Sequence, residues 1–187
     1  MFIVFEGIDG SGKSSVIQRL KGDFEASGKM VMVTAEPTQG TVGKFVAGTD
    51  GLSPEAEALL FTADRAIHTD DVRRWMSEGY VVISDRYFGS TLAYQSAAGM
   101  DIGWLKAINS KVTITPDVTI LMDIDPEVSL KRVSERGEIS RFEKLEYLRK
   151  VREAYLSIGE EFGFVRVDAD RDRDTVADEV ISIVRRI

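Results

Sequence analysis

The stretch Gly7-Ile8-Asp9-Gly10-Ser11-Gly12-Lys13-Ser14 constrains this chain more than any other, because it meets every fixed position of the pattern G-x-x-x-x-G-K-[ST]. Such a loop must turn several backbone N–H groups inward around a polyphosphate, and side chains at Gly7, Gly10 and Gly12 would hinder that approach. Lys13 supplies a mobile cation for the outer phosphates, and the Ser14 hydroxyl is placed to ligate Mg²⁺. An apolar run at 2–5 precedes the loop, while Ser15 and the helical pattern Val16, Ile17, Leu20, Phe24 follow it. The loop therefore joins a strand to a helix whose positive N-terminus faces the same anion. Residues 7 to 15 are expected to hold a nucleoside triphosphate.

Short apolar runs rich in β-branched residues recur at 2–5, 30–34, 81–84, 118–122 and 164–167, with longer amphipathic stretches between them. Gly28 and Gly79 fall where helices need a left-handed C-terminal residue, and Ser53-Pro54 and Asp125-Pro126 read as helix starts. Strand alternating with helix throughout predicts a parallel sheet covered on both faces, in one domain over 1–187. In such a sheet ligands gather at the carboxyl ends of the strands. The residues there are the glycine loop, Glu36-Pro37-Thr38, Asp85-Arg86-Tyr87, Asp123 and Asp168-Ala169-Asp170. Asp123 and Asp125 read as structural.

With no cysteine there is neither a disulfide framework nor a thiolate metal site, as suits a reducing cytoplasm. The four-residue apolar run at the N-terminus is too short for a signal peptide or membrane span, so a soluble cytoplasmic protein is expected. A net charge of −7 argues against a broad nucleic-acid surface. Within that acidic chain, residues 131–152 carry eight basic residues against four acidic ones. A basic island beside a phosphate loop suggests a compact, highly charged anion.

Asp85-Arg86 puts a carboxylate and a guanidinium at one strand tip, where arginine can grip a phosphate and the acid can reach a Mg²⁺-bound water. On the predicted helix after Pro54, the positions Ala56, Leu59, Leu60, Ala63 and Ile67 form an apolar stripe expected to be core. Phe61, Arg65 and His68 fall on another face; read alone, they suit a packed phenylalanine covered by an arginine, with a structural or surface histidine.

Taken together, Phe5-Glu6-Gly7-Ile8-Asp9-Gly10-Ser11-Gly12-Lys13-Ser14, Glu36-Pro37-Thr38, Leu59-Leu60-Phe61-Thr62-Ala63-Asp64-Arg65, Asp85-Arg86-Tyr87, Ser90-Thr91-Leu92-Ala93-Tyr94-Gln95 and Arg136-Gly137-Glu138-Ile139-Ser140-Arg141-Phe142-Glu143 resemble the motifs of the thymidylate kinases, in that family's order and across nearly the whole chain. The resemblance implies a three-layer α/β P-loop fold with a five-stranded parallel sheet of order 2-3-1-4-5 and a short arginine lid at about 136–143. It further implies transfer of the γ-phosphoryl group of ATP to dTMP with Mg²⁺, by a homodimer. On that resemblance Lys13, Arg86, Asp9, Arg136 and Arg141 are the catalytic residues. Glu36, Phe61, Arg65, Arg86, Thr91, Tyr94 and Gln95 bind dTMP, with Phe61 stacking on the base, Arg65 at its carbonyl edge and Tyr94 under the sugar. Ser14 holds the metal, with Asp85 and Asp9 reaching it through water.

Some members carry an arginine inside the phosphate loop, where this chain has Gly10, so positive charge is expected from the lid, with Arg132, Arg136 and Arg141 as candidates and Glu143 assisting. Many members also have an arginine just before the Glu-Pro pair, where this chain has Ala35; its role is either absent here or supplied by another residue, with Lys44 a candidate. Two rivals stay open on the sequence alone. A deoxynucleoside kinase would use Glu36 as base toward a sugar hydroxyl, and an ATP-binding switch would need no acceptor clamp.

Overall fold

The computed structural model describes residues 1–134 and 145–187. The elements are β1 (Phe2–Glu6), α1 (Lys13–Ala26), β2 (Val31–Ala35), α2 (Thr41–Gly48), α3 (Pro54–Ser77), β3 (Val81–Asp85), α4 (Phe88–Ala97), α5 (Ile102–Asn109), β4 (Val118–Asp123), α6 (Pro126–Ser134), α7 (Leu145–Phe162), β5 (Val165–Asp168) and α8 (Arg173–Val184). The five expected strands are present, each within a residue or two of the apolar run that announced it. Among the described residues they form one parallel sheet of order β2-β3-β1-β4-β5, with helices packed on it. The helix starts and stops follow the sequence signals: Ser53 accepts the Ala56 N–H, Asp125 accepts the Glu127 N–H, and Gly28 and Gly79 have φ of +78° and +89°.

Register decides what meets at the sheet's carboxyl edge. Phe5 of β1 lies opposite Asp85 of β3 and Ile120 of β4, so the glycine loop that leaves β1 emerges beside the Asp85-Arg86 tip. Alternate residues of β1 supply two packed regions. Ile3 and Phe5 join the larger core with Ile17, Leu92 and Ile120, while Phe2 and Val4 pack with Val72, Val82 and Tyr87. Every residue of β1 is buried, including Glu6. Asp123 is structural, as expected: it pairs with Arg152 of α7 and Arg166 of β5 at 2.6 Å each. Burial works against its charge, but the two guanidinium groups outweigh burial and hold its carboxyl below the usual range.

Helix α3 overturns one expectation. Most of the stripe predicted as core faces outward: Leu59 is 50% exposed and Ile67 58%, Ala63 is exposed as well, and Ala56 and Leu60 are half-buried. The buried face is instead mostly polar, with Glu57, Thr62, Asp64, Arg65, His68 and Thr69 beside Ala58 and Val72. Burying those groups is tolerable because each charged one finds partners across the fold. Asp64, for example, accepts the Thr38 N–H at 2.7 Å and the Thr38 hydroxyl at 2.6 Å, which pins the Glu36-Pro37-Thr38 segment to α3.

Candidate active site

The glycine loop closes between β1 and α1 around its own lysine. Gly12, with φ +90°, is the residue before α1, and Lys13 opens that helix with its ammonium bonded to the Gly7 and Ile8 carbonyls at 2.9 and 3.1 Å. Burial, with the nearby Arg86 adding to it, pushes the Lys13 ammonium down to about 8. Ser14 and Ser15 stand exposed on the first turn of α1, while Ser11 and Ile8 are buried. At Gly10, with φ +74°, a Cβ would come within 2.8 Å of the Ser129 carbonyl oxygen on α6. That helix is bound to the loop elsewhere too, since the Ser129 hydroxyl donates to the Asp9 carbonyl at 2.5 Å. Arg132 donates to the Ala169 carbonyl at 3.1 Å and more distantly to that of Gly10 at 3.5 Å. Of the arginines considered for the lid, Arg132 is thus spent on backbone carbonyls. Arg136, Arg141 and Glu143 lie outside the described residues.

Arg86 leaves β3 with φ +74°, the sole non-glycine residue with positive φ among the described residues. Its guanidinium reaches Asp9 at 2.6 Å, Ser90 at 3.1 Å and Tyr155 at 3.3 Å, and it sits 5.2 Å from the centre of the Tyr94 ring. Burial works against charge on Asp9, but Arg86 and Lys13 outweigh it and hold the carboxyl below its ordinary range. Beneath this group lies Glu6, fully buried. It accepts the backbone N–H groups of Tyr87 and Ser90 at 3.0 Å, the Ser90 hydroxyl at 2.6 Å and the Tyr155 hydroxyl at 3.0 Å. A carboxylate at the start of α4 suits the helix dipole, although burial still raises its affinity for a proton. Gly89 makes the approach possible, because a Cβ there would meet Glu6 Oε1 at 2.8 Å.

From Asp9 and Arg86 a cavity of about 570 Å³ runs between α3 and α4. Phe61 and Tyr94 line it with Thr91 and Gln95 of α4. Arg65 is fully buried at its wall, paired with Glu36 at 2.6 Å and hydrogen-bonded to Thr91 at 3.0 Å and Asn109 at 2.5 Å. The other oxygen of Glu36 is bonded to His68 Nδ1 at 2.8 Å, and His68 Nε2 to the Thr34 hydroxyl. An arginine loosely covering Phe61, the reading from spacing alone, is therefore replaced by one fixed in a polar network. All seven residues assigned to a monophosphate by resemblance line this cavity. Lys44 does not line it and is exposed on α2.

Asp85 faces the opposite side of the loop. Its Oδ2 is 3.4 Å from the Ser14 hydroxyl, and its Oδ1 is buried with no hydrogen-bond partner. A hydroxyl and an orphaned carboxylate oxygen beside a phosphate loop fit a hard cation that keeps most of its water.

Sequence reasoning missed Glu6, Glu57, Ser90 and Tyr155. Glu6 carried a signal, since a carboxylate in an otherwise apolar buried strand needs partners. Glu57 stands one turn before Phe61. Tyr155 offered no signal beyond its place on an amphipathic helix.

A sequence model described as thymidylate kinase matches residues 5–180. A probable thymidylate kinase of Pyrobaculum aerophilum is 41% identical, covering all of this chain and 97% of the relative. Proteins of the same description from Thermococcus kodakarensis, at 42% over 100% of this chain and 98% of the relative, and Archaeoglobus fulgidus, at 40% over 98% and 94%, are similar to it.

Proposed function

The chain belongs to the thymidylate kinase family, and from that premise we infer that it transfers the γ-phosphoryl group of ATP to dTMP, giving dTDP and ADP. The observation that carries this reading is the cavity that begins at the Asp9–Arg86 pair beside the glycine loop and ends at Phe61 and Arg65. Its two ends differ in chemistry as a nucleoside monophosphate does.

In this reading the backbone of residues 7–15 cradles the ATP phosphates, and Lys13 moves from the Gly7 and Ile8 carbonyls to the transferred group. Arg86 grips the acceptor phosphate, Phe61 stacks on the base, and Tyr94 lies under the sugar. Asp9 takes the sugar 3′-hydroxyl or a metal-bound water. The acceptor oxygen is already anionic, so no side chain need act as nucleophile, and positioning with charge neutralisation accounts for catalysis. Ser14, with Asp85 through water, would hold Mg²⁺, which when bound neutralises the donor phosphates. Arg136 and Arg141 complete the charge as a lid over 136–143 within one domain spanning 1–187.

A kinase acting on a sugar hydroxyl would need a free base. Glu36 is poorly suited, being buried with one oxygen on Arg65 and the other on His68. We further read the protein as a cytoplasmic homodimer. No helix among the described residues is long and apolar enough to cross a membrane. The outward stripe of α3, together with Phe45 of α2 at 53% exposure, offers an apolar surface suited to a second copy.

The test is ADP release from ATP with a panel of nucleoside monophosphates and with thymidine. Turnover of dTMP but not thymidine is expected; thymidine turnover without dTMP turnover would reverse the assignment.

A further inference from the structure

Glu57, Phe61 and Arg65 stand at i, i+4 and i+8 on α3, so their side chains share one face, and all three line the cavity. Thr91 and Gln95 stand at i and i+4 on the facing stretch of α4. Two hydrogen bonds cross between the helices. Gln95 Nε2 donates to Glu57 Oε2 at 3.1 Å, and Arg65 donates to Thr91 Oγ1 at 3.0 Å. Glu57 and Gln95 are both buried, and Phe61 lies along α3 between the two crossings.

The chemistry of this pair dictates which way the amide faces. Gln95 turns its amide nitrogen to the Glu57 carboxyl, whose Oε2 accepts the bond. If Gln95 turned its carbonyl oxygen toward Glu57, two acceptors would meet in a buried place, and the amide N–H groups would be left without that partner. The –NH₂ end must therefore face Glu57, and Oε1 becomes the atom of Gln95 available to a ligand. Arg65 beside it can only donate. The polar wall of the cavity thus presents an acceptor next to a donor.

We propose that Glu57 is a specificity-determining positioning residue: by anchoring the Gln95 amide it makes the cavity accept pyrimidines that carry a hydrogen on N3 and a carbonyl at C4, and reject cytosine. The proposal rests on the reading of this cavity as the dTMP site. Thymine and uracil offer an N3–H to Gln95 Oε1 and a C4 carbonyl to Arg65. Cytosine offers a lone pair at N3 and an amino group at C4, so acceptor would face acceptor and donor would face donor. A site built to hydrogen-bond one edge strongly rejects the analogue that leaves its buried groups unpaired. The 5-methyl group plays no part in this recognition, so dTMP and dUMP should be affected alike.

Glu57→Gln keeps size while allowing the Gln95 amide to settle either way round. With ATP saturating, kcat/KM is measured for dTMP, dUMP and dCMP in wild type, Glu57→Gln, Gln95→Met and the double variant. Expected is a fall of at least tenfold in the dTMP/dCMP ratio for Glu57→Gln, carried mainly by KM for dTMP, with the dTMP/dUMP ratio within twofold of wild type. On the Gln95→Met background, Glu57→Gln should change the dTMP/dCMP ratio by less than twofold. A ratio unchanged in Glu57→Gln, or an equal fall with and without Gln95, overturns the proposal. So does an unchanged ratio in Gln95→Met, which leaves Glu57 intact and settles the matter if Glu57→Gln does not fold. Wild-type protein that leaves dTMP unphosphorylated removes the dTMP reading and this proposal together, whereas wild-type turnover with an unaffected variant removes this proposal alone.

Discussion

Arg86 and Asp9, 77 positions apart in sequence, meet at 2.6 Å at the junction of the glycine loop and the cavity between α3 and α4. A phosphate approaching Arg86 therefore meets a cation already oriented by a carboxylate, two hydroxyls and an aromatic face. Arg86→Ala removes the proposed clamp and also takes from Asp9 its ion-pair partner. Losing a charge-assisted bond together with its orientation should lower kcat/KM for dTMP by about 100-fold or more. An enzyme that merely held or hydrolysed ATP would be little affected, so comparing dTMP-dependent with dTMP-independent ADP release in this variant separates the two.

Glu6 touches neither substrate in our reading, yet it accepts bonds from Ser90 and Tyr155, both of which contact Arg86. Glu6→Gln puts an amide donor among groups arranged to donate. We expect kcat/KM for dTMP to fall about ten- to 100-fold through misplacement of Arg86, with ATP affinity within a fewfold of wild type. Equilibrium ATP binding alongside steady-state rates checks this.

Lys13 gives a pH signature. Its folded value of about 8 lies below the 10.5 of a free lysine, so the folded state disfavours the charged form. That penalty applies in full below pH 8 and fades as pH rises from 8 toward 10.5. A bound polyphosphate raises the value again, so ATP binding near pH 8.5 should take up a fraction of a proton per site. Calorimetry in buffers of different ionisation enthalpy measures the uptake, and Lys13→Ala should abolish it.

The outward stripe of α3 predicts a quaternary consequence. Ile67→Glu introduces a charge at a position 58% exposed without touching the buried polar face. Light scattering should find a dimer for wild type and a monomer, or a strongly weakened dimer, for the variant. A monomeric wild type would remove the assignment.

Strands were legible because the buried strands β1, β3 and β4 are short runs rich in apolar β-branched residues, and the flanking β2 and β5 keep enough of the same character to stand out. That the glycine loop and the Asp85-Arg86 tip stand side by side was legible because both follow apolar runs that end at the sheet's carboxyl edge. Helix α3 was misread because apolar periodicity marks one face of a helix without saying whether the chain's own core covers that face. Arg65 looked like a loosely attached surface cation because its partners Glu36, Thr91 and Asn109 come from three separate segments. Pairings of that range leave no trace in local spacing, and the same holds for Tyr155 under Arg86.

The close fit of Gly10 against Ser129, with the Ser129 hydroxyl on the Asp9 carbonyl, bears on how parts could be exchanged between relatives. Grafting an arginine into the loop at position 10 would drive its Cβ into the backbone of α6, the helix that leads toward residues 136–143. Loop and helix therefore behave as one cassette. A swap of the source of catalytic charge should succeed only when residues 7–15 and α6 are transplanted together.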